Sequence, residues 1–69
     1  MALSETKLVL INGLSLILNN KEVITAIALM LSTEQQMRTM IDWIWKHQKE
    51  NPPEDRVIGI AKLISERIS

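Results

Sequence analysis

The chain reads as an all-α fold: a small bundle of four short helices at about 5–18, 21–31, 33–50 and 53–68, completed by self-association. Three observations carry that reading. Apolar residues recur at helical spacing through the second half of the chain, as in Met37, Met40, Ile41 and Ile44. Strong boundary signals punctuate the chain at Asn19-Asn20, Ser32-Thr33 and Pro52-Pro53. Finally, Leu8 to Leu18 and Val23 to Leu31 are apolar almost all the way round. A surface helix ordinarily carries one apolar stripe and one polar face.

All 69 residues are assigned to a single helical domain, near the lower limit for independent folding. Small domains commonly add disulfides, a metal or a second subunit. With no cysteine and one histidine, His47, disulfides and thiolate metal sites are excluded. Association remains as the device that would supplement the core.

The first helix would begin after Ser4 as N-cap, with Glu5 placed favourably in the first turn. At about 100° per residue, Leu10, Ile11, Leu14, Ile17 and Leu18 gather on one broad face. Val9 and Leu16 form a second, lesser strip, set apart by Asn12, Gly13 and Ser15. Two apolar strips imply two different packing partners. A competing reading takes Asn12-Gly13 as a type I′ turn between two strands. Against it, the arms do not alternate apolar with polar, and no third strand is evident to support a hairpin.

Asn19 or Asn20 caps the second helix, and Asn19 with Glu22 has capping-box spacing. Only Thr25 interrupts its apolar run, so this helix is expected to lie centrally, with neighbours on several sides. Ser32 with Gln35, or Thr33 with Gln36, then closes a capping box for the third helix. That helix is the most amphipathic, with Trp43 and Trp45 flanking its stripe. Arg38 with Asp42, Asp42 with Lys46 and Lys46 with Glu50 have the i, i+4 spacing of ion pairs.

Asn51-Pro52-Pro53 ends the third helix, because proline disfavours a helical conformation in the residue before it. The same prolines, followed by Glu54 and Asp55, suit the start of the fourth helix. Val57, Ile60, Ala61, Leu63, Ile64 and Ile68 make its stripe, and Gly59 offers a close helix crossing. The third and fourth helices should form an antiparallel pair.

The balance of charge limits the functions available. Eight basic and eight acidic side chains give a formal net charge of zero. That removes the long-range attraction to phosphate on which nucleic-acid binders and polybasic membrane proteins rely. A membrane span needs about 20 apolar residues, and Asn19-Asn20-Lys21-Glu22 divides the apolar stretch. The start of the chain lacks the pattern of a signal peptide. A cytoplasmic protein is expected.

No catalytic, cofactor or metal-binding constellation emerges. His47 as a base would need an orienting acid and a nucleophile, and neither accompanies it. There is no phosphate-binding loop, dinucleotide fingerprint or calcium-loop spacing. The expected function is therefore noncatalytic: a self-associating protein-interaction module, a small regulator or adaptor, with a homodimer as its working form. Val9 and Leu16 are the candidate self-association residues. Trp43 and Trp45 are candidates for contact with a separate protein partner; in the alternative, both cap the core with their indole N–H groups near water. The second functional reading is a dimeric nucleic-acid-binding or transcriptional regulator using the second and third helices as a helix-turn-helix. The mixed charge of Arg38, Asp42, Lys46 and Lys49 suits a phosphate backbone poorly.

Overall fold

The computed structural model describes residues 5–68, and these form four α-helices with no strand among them. They are α1 (Glu5–Ile17), α2 (Lys21–Met30), α3 (Glu34–His47) and α4 (Glu54–Arg67), with one 3₁₀ turn at Gln48–Glu50 after α3. The proposed Ser4 cap lies outside the described residues. The ends agree with the sequence reading to within a residue or so, except that α3 tightens into the 3₁₀ turn before the prolines.

Asn12-Gly13 lies inside α1, and neither described glycine has a positive φ. The hairpin is thereby excluded: a type I′ turn requires positive φ at both central residues. A Cβ at Gly13 would meet only the Ile44 side chain, at 3.5 Å from Cδ1 and 3.6 Å from Cγ2. Gly13 is therefore where α1 and α3 come closest. Gly59, assigned that role from sequence, has nothing within 4 Å of its Cβ position and marks no crossing.

Each helix is tied to its neighbours by local chemistry. Asn20, rather than Asn19, caps α2: its Oδ1 accepts from the Glu22 N–H at 3.0 Å and the Val23 N–H at 3.4 Å. Thr33 caps α3 in a complete capping box, with its Oγ1 accepting from the Gln36 N–H at 3.1 Å. The Gln36 side chain returns the contact, its Oε1 accepting from the Thr33 N–H at 3.2 Å and from the Ser32 N–H at 2.9 Å. Asn51 ends the 3₁₀ turn in the left-handed region at φ 48°. Asparagine tolerates that region because its short side chain bonds locally to the backbone.

The helices pack as a ring in which α1 meets α3 and α2, and α4 meets α3 and α2. The α1–α3 contact is the most extensive. The α3–α4 pair is antiparallel, since contacts at both ends join opposite termini. Gln36, in the first turn of α3, donates from Nε2 to the Ile68 carbonyl oxygen at 2.5 Å, just beyond the end of α4. At the other end, Arg56 near the start of α4 stands over Trp43 near the end of α3, 6.0 Å from the ring centroid.

Leu10, Leu14, Ile27, Leu31, Met40, Ile44 and Val57 are the largest fully buried side chains, so every helix or its cap contributes to one core. Full burial of such side chains stabilises by roughly 1.5–3 kcal/mol each. The expectation that α2 is enclosed is not met. Ile24, Ile27 and Ala28 are buried, but Thr25, Ala26 and Leu29 are exposed. The Val23–Leu31 run lacks a polar face because alanine, threonine and one leucine line its outer side, not because neighbours surround it.

Candidate interaction surface

The outward surface of α1 follows from its periodicity. Leu10, Gly13 and Leu14 turn inward, while Leu8, Val9, Asn12, Ser15 and Leu16 face solvent. Val9 is 46% exposed and Leu16 60%. The lesser strip thus remains uncovered within the monomer. Leu8, not assigned to a strip from sequence, extends it at 46%. Leu8 lies 40° from Asn12 on the helical wheel, by the rule of about 100° per residue, so full angular bookkeeping finds it.

Two polar residues share this strip. Ser15 donates its hydroxyl to the Ile11 carbonyl oxygen at 2.9 Å, so its hydrogen-bonding need is met within α1. Asn12 has no hydrogen bond from its side chain among the described residues and projects from the middle of the strip.

Leu29 is exposed to 72%, the highest value among the exposed large hydrophobic residues. With Lys21, Glu22, Thr25 and Ala26 it lines a shallow, open depression on α2. All five residues belong to one helix, so no second wall encloses a ligand there. Leu63, expected in the stripe of α4, is also exposed. That stripe is narrower than sequence suggests, with Val57, Ala61 and Ile64 as its buried members.

The structure separates the two tryptophans. Trp43 is partly buried against the core and stacks on His47, with ring centroids 4.5 Å apart and planes inclined by 20°. His47 Nδ1 lies 2.9 Å from the Trp43 carbonyl oxygen, so a proton on that nitrogen is donated one turn back. His47 is thus held by its own helix. Trp45 points outward and is 54% exposed. Of the two candidate partner-contact residues, Trp45 presents its ring to solvent while Trp43 is largely committed to packing.

The remaining surface of α3 is neutralised internally. Lys46 pairs with Asp42 at 3.1 Å, as its spacing predicts, while Arg38 turns back to Glu34 at 3.6 Å instead of reaching Asp42. Glu34 also accepts from the Thr6 hydroxyl, linking the start of α3 to α1. Such exposed pairs contribute at most about 1 kcal/mol each. They leave no concentrated positive face on α3. Moreover, α2 and α3 sit diagonally across the ring, each packed mainly on α1 and α4. A helix-turn-helix packs its two helices against one another, and this arrangement lends that reading no support.

Among the described residues, no group of three or more His, Cys, Asp or Glu side chains is placed to hold a metal ion. No described helix is long and apolar enough to cross a membrane. Every buried side-chain nitrogen or oxygen of the described residues has a hydrogen-bond partner. Comparisons with protein-family models, with curated proteins and with solved structures each return no match to this chain.

Proposed function

We propose that this protein is a noncatalytic, self-associating interaction module of the cytoplasm, a small regulator or adaptor that works as a homodimer through the outer face of α1. The observation that carries the reading is the exposed strip containing Val9 and Leu16 on a helix whose other face is already committed to the core. Both residues lie in the middle of a regular helix, where a solvated surface would ordinarily carry charged or polar side chains. Zero net charge supports the same reading, because little electrostatic repulsion opposes contact between copies. Trp45 offers a separate anchor for a different protein, an aromatic ring being a common energetic centre of such contacts.

Sedimentation equilibrium of the unaltered chain is the direct test, with a concentration-dependent dimer as the expected result. A folded monomer persisting at high micromolar concentration would overturn the proposal. The paired changes Val9→Glu and Leu16→Lys should abolish the dimer, leaving a folded monomer or, if folding is linked to association, an unfolded chain.

A further inference from the structure

The exposed face of α1 has an internal symmetry that its apolar content alone does not require. With Asn12 taken as the origin and about 100° per residue, Leu8 and Leu16 fall four residues and about 40° to either side. Val9 and Ser15 fall three residues and about 60° to either side. All five residues are exposed. The strip reads nearly the same from either end, with a carboxamide at its centre and a leucine toward each end.

Resting on the proposal that the protein self-associates, we infer that the partner is a second copy of α1 lying antiparallel, with a two-fold axis through Asn12. That operation sets Val9 against Leu16 of the other copy, twice, and brings Leu8 beside the same leucine. Ser15 can enter this contact without an unmet hydroxyl, since its Oγ–H already donates to the Ile11 carbonyl. At the axis the two Asn12 carboxamides meet, each donating from Nδ2 to the other's Oδ1. A lone asparagine in an apolar helix seam fixes register in this way, because slippage leaves its amide unpaired among hydrocarbon.

Charge favours the same orientation. Glu5 is exposed at the start of α1, and Lys21 is exposed just beyond its end. Antiparallel pairing brings these opposite charges toward the same end of the dimer, once at each end, whereas parallel pairing places like with like. The helix dipoles also oppose one another only in the antiparallel arrangement. The contact is small: thirteen helical residues extend about 20 Å, so it should bury less than the roughly 800 Å² per partner of a standard interface. A pair that exchanges readily with monomer is expected.

The chain contains no cysteine, so single introduced thiols report on this geometry without background. Full-length chains carrying Val9→Cys, Leu16→Cys, Asn12→Cys or, as a distant control, Lys62→Cys would be oxidised at a concentration where sedimentation shows dimer. Circular dichroism would verify that each remains helical. Asn12→Cys alone should cross-link at least tenfold faster than Lys62→Cys. Val9→Cys and Leu16→Cys should each stay uncross-linked alone and form a mixed dimer when combined. Efficient cross-linking of Val9→Cys with itself would show parallel helices and overturn the inference. A dimer by sedimentation with no cross-link through α1 would overturn it while leaving self-association intact. A monomer throughout would overturn both.

Discussion

Gln36 Nε2 lies 2.5 Å from the Ile68 carbonyl oxygen, and the same side chain holds the amides of Ser32 and Thr33 through its Oε1. One amide, 6% exposed, thereby closes the start of α3 and secures the end of α4. Each terminus presents the groups the other end of a carboxamide needs: free N–H donors at a helix start, free carbonyls at a helix end. A glutamine can serve both. Its Nε2 also lies 3.4 Å from the Ser65 carbonyl oxygen, within the last turn of α4.

Replacing Gln36 therefore tests two joints together. Gln36→Leu should lower stability by about 2 kcal/mol, the scale of leaving buried polar partners unsatisfied. Gln36→Glu keeps the acceptor for the Ser32 and Thr33 amides but sets a carboxylate against the Ile68 carbonyl. It should be destabilising as well, despite its unchanged size. Urea denaturation of both variants supplies the comparison. Wild-type stability for Gln36→Glu would show that the link to α4 contributes nothing.

The two capping regions make a paired prediction. Thr33→Ala removes the oxygen that accepts from the Gln36 N–H and should cost about 1 kcal/mol. Ser32→Ala should change stability by only a few tenths of that, its neighbour being the cap. Likewise Asn20→Ala should cost about 1 kcal/mol and Asn19→Ala much less. Thermal melts of the four variants would reveal a misassigned cap as a reversed order within either pair.

Both glycines should accept alanine, for different reasons. At Gly59 the space is open and the backbone helical, so Gly59→Ala should stabilise by about 0.4–1 kcal/mol. At Gly13 the new methyl meets Ile44 at ordinary van der Waals distance, so the gain in helix propensity should survive. Gly13→Val instead directs two further methyl groups at the α1–α3 contact and should cost about 1–3 kcal/mol. A falling melting temperature for Gly13→Ala would indicate a tighter crossing than the structure shows.

Asn51 is the one described non-glycine residue with positive φ. Asn51→Gly should be neutral or mildly stabilising, while Asn51→Val should lose roughly 1–2 kcal/mol, the cost of a branched Cβ in the left-handed region. Denaturant midpoints of the two variants test this directly. Equal stability would mean that the turn relaxes into another conformation.

How far these features can be read from sequence depends on how local their causes are. Helix starts at Asn20 and Thr33, the stop before Pro52-Pro53 and the inward positions Leu10, Leu14, Met40 and Ile44 all follow from periodicity and capping. Those effects act within about one or two turns of chain. The strip of Val9 and Leu16 on α1 is legible for the same reason, because the angle between two residues of a helix is set by their separation. Whether another helix covers such a strip is a tertiary matter. The ring of α1, α3, α4 and α2 leaves α1 uncovered along Leu8, Val9 and Leu16, and it leaves α2 open at Leu29. From apolar content alone α2 belongs at the centre, yet alanine and threonine can face water at little cost, so composition does not decide enclosure. Only the packed structure makes Gly13 the crossing point instead of Gly59 and joins Gln36 to Ile68, 32 residues away. Those contacts depend on how helices separated in sequence approach one another, and no local spacing rule contains that information.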